Sequence, residues 1–295
     1  VLTSGYNNSD GMGYLYFVNP ETGALLQKVS TGVASTGLTH ASAYVQDFTD
    51  YTADAIYVGD LDGQLWRFDV TAPRGSTAAY PAPTKLALLT DGTTAARPQA
   101  ITTQPLIEIH PLTRKRYVMF GTGQLLDPSD ISSTTAQSFY VINDGNTTSF
   151  TPADATMPYT RANLTALTNL TTGVTLPNTS KGWYLDLGSD SSSNVAWRMT
   201  LNPLAFNGVV SFAPLLTMGD ACSPSGVSRF YAIDFATGKS ALTPDGQAFV
   251  ESSSAITDLA VVGVDGRTRW LTGNVQGEVK KQGVKEPSGL GLRLL

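Results

Sequence analysis

Residues 44–70 read YVQDFTDYTADAIYVGDLDGQLWRFDV, and this stretch decides the fold. Ile56 and Val58, then Leu65, Trp66 and Phe68, flank the Gly/Asp-rich turn GDLDG at 59–63. Apolar runs of that length on either side of such a turn predict a β-hairpin, with strands over 55–58 and 64–70. Gly63 suits the positive φ the turn requires, and Asp60 and Asp62 are expected to serve the turn itself. Upstream lies an acidic loop with Asp47, Asp50 and Asp54. Such a loop either holds a hard cation or stays solvated, its aspartates bonding their own backbone.

The same unit recurs on both sides of this hairpin. GYLYFVNPETGALLQKV (13–29) is a strand, an Asn-Pro-Glu-Thr-Gly turn and a strand. RYVMFGTGQLL and QSFYVIND fall within 116–144, VVSFAPLL and SRFYAIDFATGKS within 209–240, and DLAVVGVDGRTRWLTGNVQGEV at 258–279. An apolar pair, then Asp or Asn, then a turn, repeated every 40 to 50 residues or so, predicts an all-β chain folded as a β-propeller. Sheets buried on both faces explain strands that are apolar on both sides. About five blade-like units are visible over 1–295, read as one propeller domain and as part of a modified larger ring. The start at Val1, already inside a strand, predicts a piece of something longer that lacks an N-terminal region. Residues 144–180, rich in Thr and Asn, read as a surface insertion with a short helix near 160–167. Asn163, Asn169 and Asn178 open Asn-x-Ser/Thr triplets, which a Thr-rich composition produces by chance. Residues 280–295 read as a closing strand or a loose tail.

Composition narrows function. Charged residues are 15% of the chain, against about 25% in a typical soluble domain. Net charge is −5, with the basic residues scattered, which argues against a nucleic-acid groove. No run of 18 apolar residues predicts a transmembrane segment. His40, His110 and Cys222 are far apart in sequence, so neither a zinc cluster nor a hydrolytic triad is expected, and no enzyme is read here. Cys222, alone, has no internal disulfide partner.

Calcium is the metal the acidic loop best fits. With Asp54 at position 9 of an EF-hand-like loop, Asp50 falls at position 5 and the Thr52 carbonyl at position 7. Positions 1 and 3 are then Gln46 and Phe48, and Asp47 sits one residue out of register. Two or three carboxylates in place of four predict weak affinity. A second reading of the repeats is a quinoprotein-like propeller oxidoreductase, since FYAIDFATGK and LYFVNPETG resemble the repeats of pyrroloquinoline quinone dehydrogenases. The tryptophan that follows the Thr-Gly turn in those enzymes is absent here, and so is an adjacent cysteine pair.

DAIYVGDLDGQLWRFD (54–69) resembles the signature segment of the C-terminal propeller in the PilY/PilC family of type IV pilus proteins. SGYNN (4–8), FGTGQ (120–124), QSFY (137–140), KGWYLDL (181–187) and GDACSPSG (219–226) agree with it in order. The resemblance implies a bacterial cell-surface protein at the pilus tip or outer membrane. It would support pilus assembly and extension, twitching motility and surface adhesion. Its implied partners are minor pilins, other pilus components and a host or abiotic surface. Family members bind calcium in the loop before the Y-x-G-D-L segment, and only Asp50 and Asp54 carry over from that pattern.

Overall fold

The structure, a computed structural model, describes residues 1–287 apart from 35–36, 51, 72–76, 178, 221, 223 and 265–266. Five antiparallel-rich sheets follow one another along the chain. The first holds β1 (Leu2–Thr3), β2 (Met12–Val18) and β3 (Leu25–Ala34). The second is a four-stranded meander of β4 (Leu38–Tyr44), β5 (Ala55–Asp60), β6 (Gln64–Asp69) and β7 (Thr84–Leu88). The third contains β8 (Leu106–Ile109), β9 (Lys115–Gly121), β10 (Ser138–Asn146), β11 (Thr165–Ala166) and β12 (Gly182–Asp186), in the order β11-β12-β10-β9-β8. The fourth is built from β13 (Leu204–Phe206), β14 (Val209–Phe212), β15 (Leu215–Gly219), β16 (Pro224–Asp234) and β17 (Val250–Ser252). The last is β18 (Ile256–Val264), β19 (Arg267–Asn274) and β20 (Val279–Gln282).

The period-2 alternation of each strand decides what packs where. In β5 and β6, Ile56, Val58, Trp66 and Phe68 face the first sheet, sharing a core with Leu15 and Val29. Their neighbours Ala55, Tyr57 and Leu65 face the third sheet, against Val118, Phe120, Tyr140 and Ile142. The opposite set of that third sheet, Met119, Phe139, Val141 and Trp183, meets Val210, Phe212, Tyr231 and Ile233 of the fourth. Phe139 and Phe212 stack with ring centroids 3.8 Å apart. Val209, Phe230 and Ala232 then meet Ile256 and Trp270 of the last sheet. Four cores thus lie between five sheets, the layered packing expected of propeller blades.

The hairpin forms as its sequence predicts, with the strand β5 running on to Asp60. Ile56 pairs with Phe68 and Val58 with Trp66. Gly63 has φ 74°, and a Cβ there would lie 2.3 Å from the Leu89 carbonyl oxygen. Only glycine avoids both the strain and the clash.

Residues 144–180 lie mostly at the surface, with a few side chains anchored between the sheets. Tyr159 is fully buried, Leu164 and Leu167 nearly so. Tyr159 donates its N–H to Leu86 and accepts from Leu88, which knits this segment to β7. The helix near 160–167 is a single 3-10 turn, Arg161–Asn163, and β11 follows it in parallel with β12. The apolar residues are too sparse to show a period, yet each fills a gap between blades. Asn163 and Asn169 accept backbone N–H bonds from Thr160 and Thr171 in local turns, and Asn178 lies outside the described residues. At the other end, Lys285 bonds back to Ala241, while 288–295 fall outside the described residues.

Candidate functional site

The acidic loop connects β4 to β5 and stands at the edge of the second sheet. Its base is closed by the Asp54 N–H donating to the Tyr44 carbonyl at 2.8 Å. Asp54 Oδ2 accepts the Gln46 N–H at 2.6 Å. Asp47 Oδ1 accepts the Thr49 N–H at 2.8 Å and its hydroxyl at 2.7 Å. Asp50 Oδ1 accepts the Thr52 N–H and hydroxyl, both at 2.9 Å. Each Asp-x-Thr is therefore a local turn in which the carboxylate replaces a backbone acceptor. The bonds from the Thr49 hydroxyl and then its amide hold the Asp47 carboxyl below the usual carboxylate range.

These four residues, Asp47, Asp50, Thr52 and Asp54, share one loop, but their carboxylates turn back on separate stretches of backbone. Among the described residues no three His, Cys, Asp or Glu side chains group closely enough to hold a metal. A calcium cage needs six to eight converging oxygens. As arranged, the loop does not fit one.

Beneath the loop lies a node that sequence reasoning passed over. Asp144, fully buried, pairs with Arg67 at 2.5 Å and accepts the Tyr57 hydroxyl at 2.6 Å and the Thr151 N–H at 3.2 Å. Burial first, then the Asp144 carboxylate, push the Tyr57 hydroxyl pKa well above its ordinary value. Arg116, also fully buried, donates to the carbonyls of Asp144 and Ser149 at 3.1 and 3.2 Å, and to Gln46 Oε1 at 3.2 Å. Its guanidinium lies 4.0 Å from the Phe150 ring and 4.4 Å from the Tyr44 ring. The signal was available: Arg67, Arg116 and Asp144 sit inside or beside apolar strands whose two faces are both buried, where a charge needs a partner.

The other candidate residues have structural surroundings. Asp60 is fully buried and accepts from the Asp62 and Gln64 N–H groups, Gln64 Nε2 and Trp66 Nε1, so it organises the hairpin turn. His40 is exposed on β4. His110 is buried, its Nδ1 accepting the Thr113 N–H, and stacks edge-on against Phe235 at 4.9 Å. Asp234 Oδ1 comes within 3.5 Å of His110 Nε2, a neighbour that no short-range pattern disclosed. Cys222 is exposed, with a free thiol, on the connection between β15 and β16.

The family model described as the PilY1 beta-propeller domain matches residues 1–176, a span that holds the first two sheets, the acidic loop and the arginine node. The chain belongs to the PilY1 family. The type IV pilus biogenesis factor PilY1 of Pseudomonas aeruginosa strain PAO1 is 29% identical over 284 residues, which cover 81% of this chain. A PilY1 homolog of Xylella fastidiosa is 28% identical over 244 residues, again 81% of this chain. The chain spans only 24% and 19% of the lengths of these two relatives. The crystal structure of the P. aeruginosa PilY1 C-terminal domain superposes with a TM-score of 0.67 at 23% identity. That match covers 96% of this chain and 68% of the other, so the PilY1-type propeller fold extends over the whole of the sheets described above. No helix among the described residues is long and apolar enough to cross a membrane.

Proposed function

We propose that this chain is the propeller portion of a type IV pilus biogenesis factor, acting at the bacterial cell surface to support pilus assembly and extension. The observation that carries the reading is the alignment, over 81% of the chain, with relatives named for that role. Fold alone would not carry it, because propellers host many unrelated activities. In this reading the blades form a rigid scaffold, and the loops at their ends make the contacts with minor pilins and other pilus components. Twitching motility, surface adhesion and a place at the pilus tip follow as consequences of the same docking role. The chain acts by binding and carries out no reaction. No calcium step enters, because the loop carboxylates do not converge.

The test is an in-frame deletion of this region from the full-length gene, made in a retraction-competent and in a retraction-deficient background. Surface pili are measured in the shear fraction, and twitching zones and attachment at matched pilus number. Loss of pili in the competent strain with recovery in the deficient one supports a role in opposing retraction. Loss in both supports a role in assembly. Normal piliation, motility and attachment in both strains would overturn the proposal.

A further inference from the structure

Two guanidinium groups and one carboxylate are buried at the floor of the acidic loop. Asp144 is committed to Arg67 through its side chain, so among the described residues Arg116 receives only neutral acceptors: two carbonyls, the Gln46 amide oxygen and two aromatic faces. The floor therefore carries an excess positive charge, and the loop above it carries Asp47, Asp50 and Asp54. Gln46 joins the two. Its Oε1 accepts from Arg116, its Nε2 donates to the Thr148 carbonyl at 3.4 Å, and its backbone N–H donates to Asp54.

We infer that Arg116 is the built-in cation of this loop: the loop keeps its shape without a divalent ion and is coupled through Gln46 to residues 144–151. Two physical reasons lead there. A divalent ion ligated by Gln46 Oε1 would share that oxygen with a guanidinium nitrogen 3.2 Å away, and the two like charges would repel at short range. Asp50 and Asp54 each commit one carboxylate oxygen to turn bonds, and among the described residues no three His, Cys, Asp or Glu side chains converge to complete a ligand set. The guanidinium is oriented by the ring faces of Tyr44 and Phe150 as well as by its carbonyl acceptors. The amide at 46 completes the arrangement because it accepts from Arg116 and donates to Thr148 at once.

The test is hydrogen–deuterium exchange with mass spectrometry on the purified chain, in EDTA and in millimolar calcium, for the wild type and Gln46→Ala. Gln46 is exposed, so its replacement leaves the cores intact, and circular dichroism checks this. Wild-type exchange over 46–54 should agree within about twofold in the two media, and Gln46→Ala should speed 46–54 and 144–151 together by about tenfold. Protection of 46–54 by calcium in the wild type would overturn the metal-independent loop. An effect of Gln46→Ala confined to 46–54 would overturn the coupling. Both readouts are independent of pilus assays, so this inference and the proposed function stand or fall separately.

Discussion

Replacing Asp144 by Asn tests the buried node most directly. Asp144 is fully enclosed, and the Arg67 side chain is 9% exposed. Asparagine has nearly the same shape but removes the carboxylate that pairs with the buried Arg67 guanidinium. A unit charge pair about 4 Å apart at an effective dielectric near 20 is worth ~4 kcal/mol. Breaking a buried pair by removing one partner costs about 3–5 kcal/mol in practice. The Asn amide also brings N–H groups towards Arg67 or Tyr57, where an acceptor had been. Against a domain stability of roughly 5–15 kcal/mol, the loss is a large fraction. Urea unfolding followed by tryptophan fluorescence should show the midpoint falling by ~1 M or more with little change in slope. Combining Asp144→Asn with Arg67→Met removes the stranded charge, so the double variant should lose less than the sum of the singles, by about 2 kcal/mol. A single-variant loss under about 1 kcal/mol, or strict additivity in the cycle, would refute the view that these charges stabilise each other.

Asp60→Ala strands the buried Gln64 N–H, Gln64 Nε2 and Trp66 Nε1. At about 1–3 kcal/mol for each unmet donor, the cost should be ~3–9 kcal/mol by the same unfolding assay, and Asp60→Asn should recover part of it. Gly182→Ala puts a Cβ 2.0 Å from the Val141 carbonyl oxygen at φ 141°, between β10 and β12. It should cost about 1–3 kcal/mol or more, seen as a lower thermal midpoint, and an unchanged midpoint would contradict the close approach. Tyr140, fully buried, has its pKa pushed up to about 12, mainly by burial. The folded state therefore holds this proton more tightly than the unfolded chain does. Its contribution to stability is complete below pH ~10 and is lost as pH rises towards 12. Absorbance of tyrosinate should accordingly appear together with loss of the near-ultraviolet circular dichroism signal, whereas full ionisation with the fold intact would refute the burial argument.

The hairpin at 55–69 and the five sheets were legible because the information is local. Ile56, Val58, Trp66 and Phe68 form one set and Tyr57 and Leu65 another, and alternation alone places the two sets on opposite faces. The GDLDG turn is organised by near neighbours in sequence, and Asp60 serves it as expected. The buried anchors of residues 144–180 were not legible, for the converse reason. Tyr159 and Leu164 join the core between the second and third sheets and Leu167 the next one, so no window of sequence shows an apolar face.

What the amino-acid order determined by itself was the class of fold and the seat of the loop, since strand alternation and turn chemistry act over a few neighbouring residues. Tertiary structure alone decided which charges meet. Arg67 and Asp144 lie 77 positions apart and pair only because the second and third sheets abut. The same contact sets Arg116 beneath Gln46 and turns an acidic loop that reads as a cation site into one whose floor is already cationic. Partners across an inter-blade core are chosen by the stacking order of the sheets, and no local period in the sequence encodes that order.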